Sequence, residues 1–373
     1  MNRLIYADSG SSADIYYATR FFAPDPFLYF TVGKKSCVVL SDLELDRGRR
    51  QARVDRVLSL SMYRDELAKK IRRRPNIEET VLHILKAHRI KTAEVPPDFP
   101  FKLADFLIKS GVKLAIPPGG FFPQRFRKTA SEVRQIQRAL RVTEMLLDRA
   151  REILKRSKAG PGGKLRWAGS ALTSERLRME IQMAALRMGA CADMPIVAGG
   201  VQACDPHERG SGPLKANELI IVDIFPQLAD TRYWGDMTRT FLKGRALPGQ
   251  RRLFETVRLA QEEAIRAIRA GVPAGKVHHD VEQFFGKRGF LTGEIRGRRQ
   301  GFFHGTGHGL GLEIHEAPGM GQGSPHRLEA GNVVTVEPGL YYPDIGGIRI
   351  EDVVLVTRTG CRKLSRFPVV LEL

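Results

Sequence analysis

At 373 residues, 42% apolar and 27% charged, the chain has the make-up of a soluble globular protein with room for two domains and a substantial core. No stretch approaches the roughly 18 apolar residues of a membrane span, and the N-terminal MNRLIYADSGSSADIYY lacks the apolar run of about seven residues of a signal peptide. Four scattered cysteines without CxxC spacing point to reduced thiols in a cytoplasmic protein rather than to a disulfide framework.

The formal net charge of +19 is less ordinary, and about half of the excess precedes residue 129. Arg47, Arg49, Arg50, Arg53 and Arg56 form one cluster, and Lys69, Lys70, Arg72, Arg73 and Arg74 another. Such patches can bind nucleic acid. No aromatic residues interleave with the second cluster and no nucleic-acid motif accompanies either, so a solvated helix face is the better reading.

In chain order, residues 1–125 alternate strand-like runs (FLYFTVG, SCVVLSD) with helical ones (ETVLHILKAHRI, KLADFLIKSG), which predicts an α/β layer domain. PPGGFFPQ at 117–124 reads as a hinge. Thr129 and Glu132 make a capping box that opens a long helix with Val133, Ile136, Leu140, Leu147 and Ile153/Leu154 on its apolar side. KAGPGGK at 158–164 ends that region. A second helix over 173–188 is expected to bury Leu177, Ile181, Ala184/Ala185 and Met188, with Met179 and Met183 as further core packing. A third helix is expected over 249–270 and a fourth over 277–287, with His278 and His279 on the surface.

Between these helices lie five segments of strand or turn character: LIIVDIF, GDMTRTF, HGTGHGLGLEIHE, VVTVEPG and GGIRIEDVVLV. They hold the five metal-ligand-type side chains Asp223, Asp236, His308, Glu337 and Glu351 in turn. Strand alternation places Asp236 on one face with Thr238 and Thr240, Glu337 with Thr335, and Glu351 with Arg349. Ile348, Ile350, Val334 and Val336 then point the other way, into packing. Four carboxylates aimed at one point repel unless a multivalent cation neutralises them. Four oxygen donors and one imidazole suit two divalent ions, manganese or cobalt, better than one structural zinc. Adjacent divalent ions generate a water-derived nucleophile, which predicts a hydrolase. His304, His308 and His315 lie within twelve positions on a stretch with glycines at 305, 307, 309 and 311, where backbone can approach closely.

These motifs resemble the pita-bread metallopeptidase family, which includes aminopeptidase P, prolidase and methionine aminopeptidase. The resemblance is specific from about residue 130 to 373. It is weaker before 125, where YYATRFFAPDPFLYF is similar to the N-terminal domain that prolidases and aminopeptidases P share with creatinase. It implies an α/β (α+β) chain: a smaller creatinase-like α/β domain over 1–125 and a pita-bread catalytic domain over 126–373. By motif, Asp223 binds one metal, Asp236 and Glu351 bridge both, and His308 and Glu337 bind the other. Glu337 also handles a proton. His315 stabilises a tetrahedral oxyanion, His207 and His304 line the substrate pocket, and Arg349 anchors the site. The implied cofactor is a pair of divalent ions, Mn2+ first, with Co2+ or Zn2+ as alternatives. The implied partners are a peptide with proline in second position and a second copy of the chain as a homodimer.

Within the family, RIED points to the proline-directed branch, since methionine aminopeptidases carry a segment resembling QFEHT there. Two departures stand out. Asp223 and Asp236 are 13 residues apart, two more than the family pattern, which leaves Asp230 as a competing ligand. HEAPGMG also places Gly319 where many prolidases carry a carboxylate-binding arginine. That tilts the expectation from prolidase, a Xaa-Pro dipeptidase, towards a Xaa-Pro aminopeptidase. Non-peptidase relatives, a lyase or a nucleic-acid-associated binding protein, are the further alternative.

Overall fold

The computed structural model describes all 373 residues and divides the chain into two compact units, Met1–Arg125 and Phe126–Leu373. In the first, six strands form one mixed sheet in the order Arg56–Ser59, Lys35–Leu40, Phe27–Val32, Asn2–Ala7, Thr92–Glu94, Lys113–Ala115. Its inner strands are near-continuously apolar because both faces are covered. Leu4, Leu28, Phe30 and Val39 pack under the helices Ile77–Ala87 and Phe101–Lys109, while Ile5, Phe27, Tyr29 and Val38 face Ile15, Phe21, Phe121 and Phe122. The basic clusters lie on helix surfaces where acids already answer several of them: Arg47 with Glu44, Arg49 with Asp46, Lys70 with Glu66 and Arg73 with Glu79.

The second unit has helices outside and antiparallel strands inside. The capping box is present, with Thr129 accepting from the Glu132 N–H and the Glu132 carboxylate accepting from the Thr129 N–H. It opens the helix Ala130–Arg156, which packs with Ser174–Arg187 on the strands Ile196–Gly199, Leu219–Ile224 and Met237–Leu242. The helices Pro248–Ala267 and Ala274–Lys287 cover a second set, including Val333–Val336, Gly346–Arg349 and Asp352–Val356. Leu177, Ile181 and Ala185 are buried as the helical period requires.

Two sequence expectations fail. Met179, Met183 and Met188 are exposed, not core, because the apolar stripe of that helix is filled by Leu177, Ile181 and Ala185, one turn-face away. His278 is buried rather than on the surface: its Nδ1 lies 3.1 Å from the Thr306 hydroxyl and its ring 5.2 Å from that of Phe302. A histidine in the first turns of a helix reads as polar, and only the fold brings Thr306 over it. His279, one position on, is exposed.

The two halves of the second unit are stitched through their inner strands. The Glu351 N–H donates to the Thr238 carbonyl at 3.1 Å, and the Thr240 hydroxyl donates to the Arg349 carbonyl at 3.0 Å. Residues carrying the carboxylates therefore meet by backbone hydrogen bonding. The long helix underlies one half, and its capping box also fixes Tyr233, whose hydroxyl donates to Glu132 at 2.8 Å. Thr129→Ala is expected to lower unfolding free energy by about 1 kcal/mol, measured by urea denaturation; an unchanged midpoint would show the cap to be dispensable.

Candidate metal centre

Asp223 stands in register opposite Thr238 on antiparallel strands, and Asp236 precedes Thr238 by two positions on the same face. The longer connection between the two aspartates keeps that parity, since a shift of two residues returns each side chain to its face. Asp230, within that connection, lies out on the surface paired to Arg138 at 2.8 Å and takes no part in the cluster. Asp236, His308 and Glu351 each offer a ligand atom, and those atoms lie within 4.8 Å of one another. Glu337 joins them: its Oε1 is 3.4 Å from His308 Nε2, which is 3.6 Å from Asp236 Oδ2.

Backbone geometry explains how His308 reaches this point. A Cβ added at Gly307 would stand 2.1 Å from the Thr335 carbonyl oxygen, and one at Gly309 would stand 2.5 Å from that of Ala317. Only glycine permits the strand to run this close to both neighbours. The His308 N–H donates to the Thr335 hydroxyl at 3.0 Å. Its Nδ1 lies 3.1 Å from the Gly309 carbonyl, so Nδ1 carries the proton and the Nε2 lone pair faces the carboxylates.

Hydrogen bonds hold the acids. Thr238 donates to Glu351 Oε2 at 2.9 Å, and Arg349 donates to Asp223 Oδ2 at 2.8 Å. Thr335 reaches Glu337 at 3.4 Å. Yet Asp223 Oδ1 and Glu351 Oε1 are buried with no hydrogen-bond partner, an unfavourable arrangement for carboxylate oxygens unless a cation faces them. Burial raises the Asp236 and Glu351 carboxyls well above the usual range, and repulsion adds to it, from Asp223 on the first and Asp236 on the second. Burial pushes Glu337 up to about 7, against the pull of Arg349. Five oxygen- and nitrogen-donor side chains with orphaned, inward-facing oxygens fit divalent metal.

Around this cluster, Arg349 is buried, and besides Asp223 it donates to the Tyr341 hydroxyl at 3.1 Å and the Pro206 carbonyl at 3.2 Å. Tyr341 also lies 2.8 Å from His304 Nε2. Burial, with Arg349 nearby, holds His304 down to about 3, so its ring is neutral. The His315 ring is 4.3 Å from that of His308, perpendicular to it and open to solvent. His207, on an exposed loop next to Pro206, lies within electrostatic range of His304, His315 and Glu337. Glu316, beside His315, is a separate matter: it is buried against Lys128 as an ion pair.

The fold thus brings all nine singled-out residues into one neighbourhood. Sequence reasoning missed Tyr341, which links His304 to Arg349, because a tyrosine in LYYPD reads as packing. It also missed Arg239 and Asp352, whose signal was available: each is the one charged residue of its strand, MTRTFL and DVVLV.

Metal should therefore stabilise the chain by relieving repulsion. Adding Mn2+ is expected to raise the melting temperature of the wild type, while Glu351→Gln melts at or above the metal-free wild type and gains little from Mn2+. Calorimetric scans check both, and an equal Mn2+ shift in the two proteins would contradict the cluster as the binding site.

The comparisons with known proteins follow the same lines. The model of metallopeptidase family M24 matches residues 134–358. A Xaa-Pro dipeptidase of Pyrococcus furiosus is 34% identical over 172 residues, covering 46% of this chain and 47% of that protein. The alignment therefore spans about half the length of that relative. Among solved structures, a Xaa-Pro dipeptidase from Bacillus anthracis superposes with a TM-score of 0.82 at 22% identity, covering 100% of this chain and 95% of the other. An X-Pro aminopeptidase from Thermotoga maritima gives 0.81 at 20% identity, covering 100% and 97%. At these identities the superpositions establish the fold, the pita-bread architecture with its smaller N-terminal domain. With the family model matching well over half of its length, the chain belongs to metallopeptidase family M24.

Proposed function

We propose that this protein is a metal-dependent Xaa-Pro dipeptidase, hydrolysing the bond between an N-terminal residue and proline. The observation that carries the reading is the set of buried carboxylates with unpartnered oxygens, Asp223 and Glu351, grouped with Asp236, Glu337 and the His308 Nε2. Sequence alone leaned towards a Xaa-Pro aminopeptidase on the strength of Gly319. The curated relative that is 34% identical is named a Xaa-Pro dipeptidase, and this tips the preference to dipeptides.

In this reading Asp223, Asp236, His308, Glu337 and Glu351 hold two divalent ions, with Mn2+ the first choice. When bound, the ions polarise the scissile carbonyl and lower the pKa of water. Glu337, beside His308 and short of full burial, passes the proton from the attacking water to the departing proline nitrogen. His315, solvent-facing and 4.3 Å from the His308 ring, donates to the developing oxyanion. His304 is held neutral by burial and oriented by Tyr341, and with His207 it lines the pocket for the substrate. Arg349 fixes Asp223 from behind. A bond to proline offers no N–H and has a rigid ring, so discrimination falls to pocket shape rather than to a backbone donor. Four free cysteines are in keeping with a cytoplasmic enzyme.

Gly319 is the observation that favours the second reading, an aminopeptidase acting on longer peptides. Space beside it is open: a Cβ there meets nothing within 4 Å. Cleavage of Gly-Pro and Ala-Pro, compared with a Xaa-Pro-Xaa tripeptide in Mn2+, separates the two. The dipeptidase reading requires the dipeptides to be the better substrates by kcat/KM, and preferred cleavage of the tripeptide overturns it. Gly319→Arg is expected to lower KM for dipeptides several-fold and to penalise tripeptides, by offering a cation to the free carboxylate. Asp236→Asn is expected to lower kcat by more than about a hundredfold, beyond the loss typical of groups that only orient metal ligands, because a ligand itself is lost; near-normal turnover in that variant would refute the site.

A further inference from the structure

Behind the metal centre, on the opposite face of the strands, lies a buried ionic cluster that has no part in the chemistry described above. Arg239 and Asp352 are both wholly buried and paired at 2.9 Å. The guanidinium uses all five of its N–H groups. Nε donates to the Pro368 carbonyl at 3.1 Å, and Nη1 to the carbonyls of Thr238 at 2.9 Å and Glu351 at 2.5 Å. Nη2 donates to Asp352 Oδ1 and to the Phe367 carbonyl at 2.7 Å. Asp352 is equally committed: Ser365 donates to its Oδ1 at 2.7 Å, and Lys363 and the Gln261 amide approach its Oδ2 at 2.7 and 3.2 Å. The same Gln261 nitrogen lies 3.1 Å from the carbonyls of both Val336 and Ile350.

Val336 and Ile350 immediately precede Glu337 and Glu351. One side-chain amide thus ties together the backbone of the two residues that present those carboxylates. One guanidinium ties the carbonyl of Glu351 itself to that of Thr238, two residues after Asp236. A buried ion pair rarely gains stability over well-packed apolar residues, so sheer stability is a poor account of why this position holds Arg, Asp and Gln. Their hydrogen bonds instead fix the spacing of strands that carry mutually repelling acids.

We propose that Arg239, Asp352 and Gln261 act as one positioning unit that sets the separation of Asp236, Glu337 and Glu351, and thereby the affinity of the centre for metal. The segment around Phe367 and Pro368 completes it by supplying two of the five acceptors of Arg239. This inference rests on the metal-binding reading of the site.

The test compares Gln261→Met, Arg239→Lys and, as a control, Val257→Ala, a core change on the same helix as Gln261 at an apolar side chain that can make no hydrogen bond to these carbonyls. Mn2+ binding is titrated calorimetrically on the full chain, alongside melting temperature and the kcat and KM for Ala-Pro. The expected result is a 10- to 100-fold weaker Mn2+ affinity in Gln261→Met and Arg239→Lys, the range typical of groups that orient metal ligands. Their kcat should fall while KM for the dipeptide holds, and Val257→Ala should lose melting temperature but keep its affinity. Wild-type Mn2+ affinity in folded Gln261→Met overturns the proposal, and so does an equal affinity loss in Val257→Ala. If Arg239→Lys does not fold, Gln261→Met carries the test. Wild-type protein that takes up no divalent ion overturns the metal reading itself, and the positioning role with it.

Discussion

Like charges held together in a poorly solvated space set the terms for this fold. Asp223, within the strand Leu219–Ile224, and Asp236, Glu337 and Glu351, each beside a strand end, converge where two of them keep buried oxygens without a hydrogen-bond partner. Such a group costs free energy in the absence of a cation. Something must therefore hold it assembled before metal arrives, and the rest of the second unit is arranged to do so. Threonines 238, 240 and 335 bond the acids or the strands that bear them. Arg349 neutralises Asp223 from one side. On the far face the Arg239–Asp352 pair and Gln261 clamp the same strands.

The strands have two faces with opposite duties. Val334, Val336, Ile348 and Ile350 enter the apolar core under the helices Pro248–Ala267 and Ala274–Lys287, while their alternating neighbours carry the polar groups. Period-two alternation makes this division automatic: once the apolar residues choose the core, Thr335, Glu337, Arg349 and Glu351 are committed to the other side. His308 reaches them by a different device. Its strand is short, and it approaches its neighbours closely because Gly307 and Gly309 have no side chain to keep them apart.

Those two devices explain how much of the site was legible in the sequence. Alternation is a local signal, so the face shared by Asp236 and Thr238, or by Arg349 and Glu351, could be read from six residues. Helix periodicity likewise located the long helix and its capping box. What was not legible depends on contacts between distant segments. Tyr341 acquires a role only because His304 and Arg349 reach its hydroxyl. His278 looked like a surface residue until Thr306, far along the chain, was found over it. The methionines at 179, 183 and 188 failed for the converse reason: hydrophobic character says nothing about direction when shorter residues already fill the buried stripe. Asp230 could not be ruled out by spacing, and only its pairing with Arg138 on the surface removes it.

Substrate length turns on less than the metal centre does. In the proposed reading it rests on Gly319, where no side chain is present to bind a free carboxylate and an added Cβ would meet nothing within 4 Å. The metal centre is the more deeply determined feature, because its acids are fixed by strand parity, hydrogen bonding and burial together. Anomalous diffraction at the manganese edge, from crystals grown with Mn2+, tests it most directly. Two adjacent peaks enclosed by Asp223, Asp236, His308, Glu337 and Glu351 are predicted; manganese bound elsewhere, or none at these residues, would contradict it.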